Sequence, residues 1–414
     1  MSTAAVGVVS FDEALKIVLE HTAGIATPAT ETRSLLACSG RVLAKAVAAD
    51  RDQPPFDRST RDGFAVKGTD TAASGELAVV GQVRAGERWQ GAALEQGVAI
   101  EIMTGAPMPP GADAVLMVEH VERSGDSIRL ASGKKIQPGE NVVAQGSEAR
   151  AGATVLPAGT VIEGAEIALV ASCGASTLTV YRMPRVAIVA TGDELVELDT
   201  VPDAQQIRNS NSYGLAALVA RAGGEPVRLP IAPDSRSELE QTIHQARTAD
   251  LMLLSGGVSM GKYDLVEEVL QSLGAEFFFT GVHMQPGKPV VFGRLPATSE
   301  LPAQFFFGLP GNPISTQVTF HCFVEPLLQA ISGAAVQGPR FVQATLSEEV
   351  AGKAGLMRLL PARLTSNRVR PEVRVVGWQG SGDLAANARA NCYAVLPPEQ
   401  KHFIAGEVIT VLLR

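Results

Sequence analysis

Several runs in this chain combine glycine with a carboxylate, a hydroxyl or a lysine, and each follows a short apolar stretch. They are Thr191-Gly192-Asp193-Glu194, Asp234 after Pro233, Ser255-Gly256-Gly257 with Ser259 and Asp264 close behind, Pro286-Gly287-Lys288, and Pro310-Gly311-Asn312-Pro313. Glycine lets the backbone approach a ligand and turn N–H groups toward an anion. Asn312 suits the residue before a helix and Pro313 its first position, so a helix N-terminus would face the same ligand. Lys288 can add one positive charge. Carboxylates beside anion-binding loops repel each other and the ligand unless a cation lies between them. The combination predicts Mg²⁺ bridging a phosphorylated ligand.

Any one of these loops alone reads equally well as a glycine-rich turn with no ligand. Gly256 to Lys262 even satisfies most of a P-loop, but Tyr263 stands where that motif needs a hydroxyl for Mg²⁺. Two strands also precede it in the same region. A second dense stretch, Asp57-Arg58-Ser59-Thr60-Arg61-Asp62 before Gly63, reads by itself as a solvated surface loop.

The loops need a frame. Residues 251–254 are a short apolar run bounded by glycine, the pattern of a strand buried on both faces of a parallel sheet. Similar runs at 185–190, 227–232, 276–282, 290–293 and 304–308 alternate with helical stretches, the longest running from Pro313 to about Ser332. That alternation predicts a mostly parallel, doubly wound α/β domain, whose ligands bind beyond the carboxyl ends of the strands. Residues 76–129 instead show short alternating strands separated by glycine and proline, as in a compact β-barrel or sandwich. Upstream, Ser10 and Glu13 mark the start of an amphipathic helix. After Gly338 the helical signal fades into strands. The expected organisation is multidomain α/β plus β. Residues 1–48 and 141–178 form a discontinuous, helical and loop-rich N-terminal domain with a β domain inserted at 49–140. The α/β domain spans 179–332, and a small C-terminal β domain spans 333–414.

Composition narrows the chemistry. Apolar content of 46%, 19% charged residues and a net charge of −8 describe an ordinary globular protein with no electrostatic reason to bind nucleic acid or an anionic membrane. Cys38, Cys173, Cys322 and Cys392 form no C-x-x-C pair, and the six histidines show no H-x-x-x-H spacing. A thiolate zinc site and a disulfide framework are both disfavoured, so a metal would take oxygen ligands. The N-terminus lacks a basic region and a long apolar core, and no apolar run reaches the ~18 residues of a spanning helix. A cytoplasmic location is expected.

In order along the chain, PPFDRSTRDGFA, MTGAPMPPGADAV, TGDEL, SGGVSMGKYD, PGKP and GLPGNPIS resemble the motif series of the molybdopterin molybdenumtransferase (MoeA) family, which includes the gephyrin E domain. The resemblance runs from Phe11 to about Ser332 and implies a molybdopterin-binding-like α/β domain and an elongated homodimer. It also implies Mg²⁺-dependent insertion of molybdate into adenylylated molybdopterin with release of AMP. Transfer position by position makes Asp62, Glu148, Glu194, Asp234 and Asp264 the expected catalytic carboxylates, with Glu194, Asp234 and Asp264 at the metal. Thr191, Gly192, Asp193, Ser255, Gly256, Gly257, Ser259, Pro286, Gly287, Lys288, Pro310, Gly311, Asn312 and Pro313 are the expected substrate-binding positions. Asp62 would reach the partner subunit's α/β edge.

Glu148 and Asn209 stand where the family commonly has Asp, Gln285 where it has Lys, and Arg61 where it has an apolar residue. These departures bear on affinity and on the choice between molybdate and tungstate. The molybdopterin adenylyltransferase and recipient molybdoenzymes are the implied protein partners. The competing readings are the adenylyltransferase step itself, which needs little beyond the α/β domain, and a non-catalytic cofactor-binding scaffold.

Overall fold

Three six-stranded sheets organise the chain, of which this computed structural model describes residues 7–70, 75–132, 134–257, 265–366 and 368–414. The sheet that carries most of the glycine loops has the spatial order Glu225–Arg228, Arg185–Ala190, Leu251–Ser255, Gln304–Leu309, Val291–Leu295, Glu276–Phe279. The first four strands run parallel, Val291–Leu295 runs against them, and Glu276–Phe279, antiparallel to Val291–Leu295, runs with the first four again. Alternate residues feed opposite faces, as the two-residue period of a strand demands. Val186, Ile188, Leu251, Leu253 and Phe307 join one core with the helices Ser210–Arg221 and Pro313–Thr319. Ala187, Val189, Met252, Leu254 and Phe306 join the other with Arg236–Ala246 and Leu265–Ser272. The doubly wound architecture follows from that alternation.

Two details depart from the sequence pattern. The strand expected at 227–232 is Glu225–Arg228. Pro230 has no N–H to donate, so the ladder breaks there, although Leu229 N and Ala232 N still donate to Ile188 O and Ala190 O at 3.0 and 2.9 Å. The helix that begins at Pro313 does not run evenly to Ser332. It passes through a π turn, Phe320–Val324, before continuing as Glu325–Ile331. Pro326 lies two residues beyond the end of that wider turn, which makes room for its ring and its missing donor.

The first helix, Phe11–Thr22, is capped by Ser10, whose Oγ accepts from Glu13 N at 3.2 Å. It buries Phe11, Ala14 and Val18 in the α/β core beside Phe323 and Leu327. Thr30–Ser34 pairs with Thr177–Tyr181, and Val47–Ala48 with Thr154–Leu156. The chain between them builds a sheet ordered Ala114–Met117, Gly63–Val66, Val98–Ile102, Leu77–Val83, Ser127–Leu130, Val121–Ser124, with a small core on each face.

In the last sheet, Met357–Ser366, Pro371–Val375, Phe341–Leu346, Val408–Leu413 and Cys392–Leu396 close on themselves, because Cys392–Leu396 also pairs with Met357–Ser366. Met284–Gln285, from the α/β region, adds to this sheet in parallel with Met357 and Arg358. A helix, Leu384–Arg389, interrupts the strands, with Asp383 Oδ1 accepting from Ala386 N at 2.9 Å. Its six residues are too few to show a helical period in sequence. No described helix is long and apolar enough to cross a membrane.

All four cysteines are buried and unpaired. Burial raises the thiols of Cys38 and Cys322 and pushes Cys392 up to about 11. The thiolate is the reactive form, so the native protein should leave an aromatic disulfide reagent unreacted at pH 8 and react fully once unfolded. Rapid labelling of a native cysteine would contradict this burial.

Candidate active site

The carboxyl ends of the parallel strands open into a cleft of about 750 Å³. Thr191, Gly192, Glu194, Asp234, Gly256, Gly257, Pro310, Gly311 and Asn312 line it, so one concavity gathers residues from four of the sequence-predicted loops. The fifth loop, 286–288, precedes the antiparallel strand Val291–Leu295, which starts opposite Gly308 and therefore at the same sheet edge. Only its next residue, Pro289, reaches the cleft wall. Pro286 and Gly287 are buried, and Lys288 is exposed.

The walls lock together through backbone and side chain. Thr191 N donates to Ser255 O at 3.1 Å, and Thr191 Oγ1 donates to Asp234 Oδ1 at 3.0 Å. Asp193 is not among the lining residues and accepts from Asp234 N at 3.0 Å. Glu194 folds back so closely that any Cβ at Gly192 would overlap its carboxylate. Gly256 has φ +94°, and a Cβ there would lie 2.5 Å from Thr191 O. Glycine is required at that turn. Ser255 is 2% exposed and lies behind the wall.

Asn312 holds the N-cap position ahead of Pro313, but its side chain makes no capping hydrogen bond. Thr316 ties down the turn instead, donating from Oγ1 to Pro310 O at 2.6 Å. The next helical N–H, that of Ile314, donates to Ser381 O at 2.9 Å from the C-terminal sheet's side. Asn312 therefore keeps its carboxamide for the cleft.

Sequence reasoning passed over Ile207, Leu265, Val266 and Glu268, which also line the opening. Apolar residues at a rim carry no signature in sequence, and Glu268 looks like an ordinary first-turn helix carboxylate. Its neighbour Glu267 is partly buried, which raises its carboxyl. The charged lining residues are Glu194, Asp234 and Glu268, with no lysine or arginine among the described ones. Ser259 and Asp264 lie outside the described residues.

Two expected carboxylates are elsewhere. Asp62 Oδ1 accepts from Thr104 N at 2.7 Å and from Thr104 Oγ1 at 2.8 Å, and these bonds hold its carboxyl below the usual range. Glu148 pairs with Arg58 at 2.9 Å. Neither lines the cleft of its own chain.

Three family profiles match in order: the MoeA N-terminal region (domain I and II) over residues 9–174, a probable molybdopterin binding domain over 187–330, and the MoeA C-terminal region (domain IV) over 343–413. A molybdopterin molybdenumtransferase of Nostoc sp. is 38% identical over 397 residues, covering 92% of this chain and 88% of its own length. The Haemophilus influenzae protein of the same name is 33% identical, with coverage of 92% and 93%. Among solved structures, a molybdopterin biosynthesis moeA protein from Pyrococcus horikoshii matches with a TM-score of 0.76 and 28% identity, covering 98% of this chain and all of that one.

Gly256→Ala should cost about 1–3 kcal/mol of stability, because alanine must hold a positive φ and displace the Thr191 carbonyl. Urea denaturation measures this, and an unchanged midpoint would show that the turn relaxes without strain.

Proposed function

The chain belongs to the molybdopterin molybdenumtransferase (MoeA) family, and from that premise we propose that its cleft binds adenylylated molybdopterin and molybdate, transfers the metal to the dithiolene, and releases AMP. The observation that carries this reading is the cleft itself. Backbone turns at Gly192, Gly256, Gly257 and Gly311 line a space whose charged groups, among the described residues, are all carboxylates. A pyrophosphate linkage can lie along such turns, close to their backbone.

The donor set fits Mg²⁺. This ion takes one or two protein carboxylates and completes its shell with substrate phosphate and water. Glu194 and Asp234 face one opening and can provide that pair. Among the described residues no group of three His, Cys, Asp or Glu forms a closed metal cage. The protein would therefore hold the ion jointly with substrate. Asp264 is assigned to the same task. Bound there, Mg²⁺ would offset charge on the phosphates as the anhydride breaks. Thr191 orients Asp234 by donating to its Oδ1, and Asp193 fixes the same residue by its backbone. Asn312 has a free carboxamide for a phosphate, pterin or molybdate oxygen.

A homodimer explains the second patch. Asp62, Thr104, Arg58 and Glu148 lie away from the cleft of their own chain, and in an elongated dimer they would complete the partner's. The enzyme would receive its substrate from a molybdopterin adenylyltransferase and pass its product to molybdoenzymes. The scaffold reading has no observation in its favour comparable to the carboxylate-lined cleft.

Purified protein supplied with the adenylylated substrate, molybdate and Mg²⁺ should release AMP, and EDTA should stop it. Asp234→Asn should lower turnover by about a hundredfold or more with little change in thermal midpoint. EDTA-resistant AMP release would remove the metal from the scheme. Mixing inactive Asp62→Ala with inactive Asp234→Ala protein should restore one intact site per mixed dimer. Proven subunit exchange without recovered activity would place Asp62 outside the shared centre.

A further inference from the structure

Asn211 is the second residue of the helix Ser210–Arg221, whose cap is the preceding Asn209: Asn209 Oδ1 accepts from Ser212 N at 3.2 Å. The Asn211 side chain is thus free of capping duty. Its Nδ2 donates to Ser255 Oγ at 3.0 Å and to Gly311 O at 2.8 Å. These acceptors belong to two different turns of the cleft, one opening Ser255-Gly256-Gly257 and the other within Pro310-Gly311-Asn312. Both hydrogens of one carboxamide are engaged, one for each turn.

The strand ladder behind these turns ends at Ser255 opposite Leu309. Beyond it, Gly256 N still donates to Leu309 O, at a long 3.3 Å. Gly256 and Gly311 then lie side by side at the ends of these neighbouring strands, where a Cβ on Gly311 would sit 3.7 Å from Gly256 Cα, and neither has a side chain of its own to set their spacing. Asn211 is the side chain that spans from a third element, the helix, to both.

We propose that Asn211 is a positioning residue that sets the spacing and orientation of the two glycine turns, and with them the shape of the wall they present to one phosphate-bearing ligand. Ser255 has a matching duty. Its hydroxyl is buried behind the wall and serves as the anchor for Asn211. The inference rests on reading the cleft as the site of an adenylyl phosphate, and AMP is therefore the probe.

AMP affinity is measured by calorimetry on the full chain, and KM and kcat are measured with the adenylylated substrate. Asn211→Ala should weaken AMP binding and raise KM by about tenfold, while kcat changes less. Asn211→Asp keeps the size and can accept from the Ser255 hydroxyl but sets a carboxylate oxygen against the Gly311 carbonyl, so it too should weaken AMP binding. Ser255→Ala should show part of the same loss, and the double variant should be no worse than Asn211→Ala alone. A purely structural role would instead lower the thermal midpoint and leave AMP affinity of the folded fraction intact. Unchanged AMP affinity in both Asn211 variants, or losses that multiply with Ser255→Ala, would overturn the assignment. If Asn211→Ala fails to fold, Ser255→Ala decides: it must then weaken AMP binding by itself. Wild-type protein that binds AMP through Asn211 yet releases none from substrate would refute the proposed reaction and leave this assignment standing. Normal turnover indifferent to Asn211 would do the reverse.

Discussion

The cleft depends on one residue's backbone. Thr191 donates its N–H to Ser255 and bridges to Ala232, and its carbonyl packs so tightly on Gly256 that no Cβ fits between them. Three strand ends are thereby held in register beyond the point where their regular ladders stop. Its hydroxyl then fixes Asp234, which Asp193 also grips by the main chain. The carboxylates of the site are placed by this convergence. A shift at Thr191 would move the strand ends and Asp234 together.

The electrostatics of the cleft follow from what the frame leaves out. Its basic candidate, Lys288, is exposed, because the loop that carries it is drawn toward the C-terminal sheet at Met284–Gln285. Among the described residues, the charged groups at the opening are carboxylates. Such a surface is poor at holding a free anion and suited to an anion that arrives with a cation. Elsewhere in the chain the carboxylates are bound to local partners: Asp62 to Thr104, Glu148 to Arg58, Glu325 to the buried His321.

Much of this was legible in the sequence because strands and turns leave strong local marks. The apolar runs at 185–190 and 251–254 have polar or glycine boundaries, and they fall within the strands Arg185–Ala190 and Leu251–Ser255. Gly256 and Gly311 were conspicuous for the same reason. What stayed hidden depends on tertiary contact. Nothing local distinguishes Glu268 from other helix carboxylates, or tells that Asn312 caps in position only while Thr316 does the bonding. The strand at Glu225–Arg228 was misplaced because β-propensity continues past Pro230, where the hydrogen-bond ladder cannot. The family resemblance supplied roles for Asp62 and Glu148 that no pattern in those loops would have suggested.

The C-terminal barrel is stitched to the α/β sheet twice near the cleft. Met284–Gln285 has become one of its strands, and Ser381 accepts the N–H of Ile314 at the head of the helix behind Asn312. A gene segment cut at the apparent border near residue 333 would encode the whole cleft floor. It would also leave two strand residues without their pairing partners and one helix amide N–H without its acceptor. Modules joined this way are inherited together. Rearranging them by recombination would demand compensating changes on both sides of the seam, whereas a seam confined to a linker would need none.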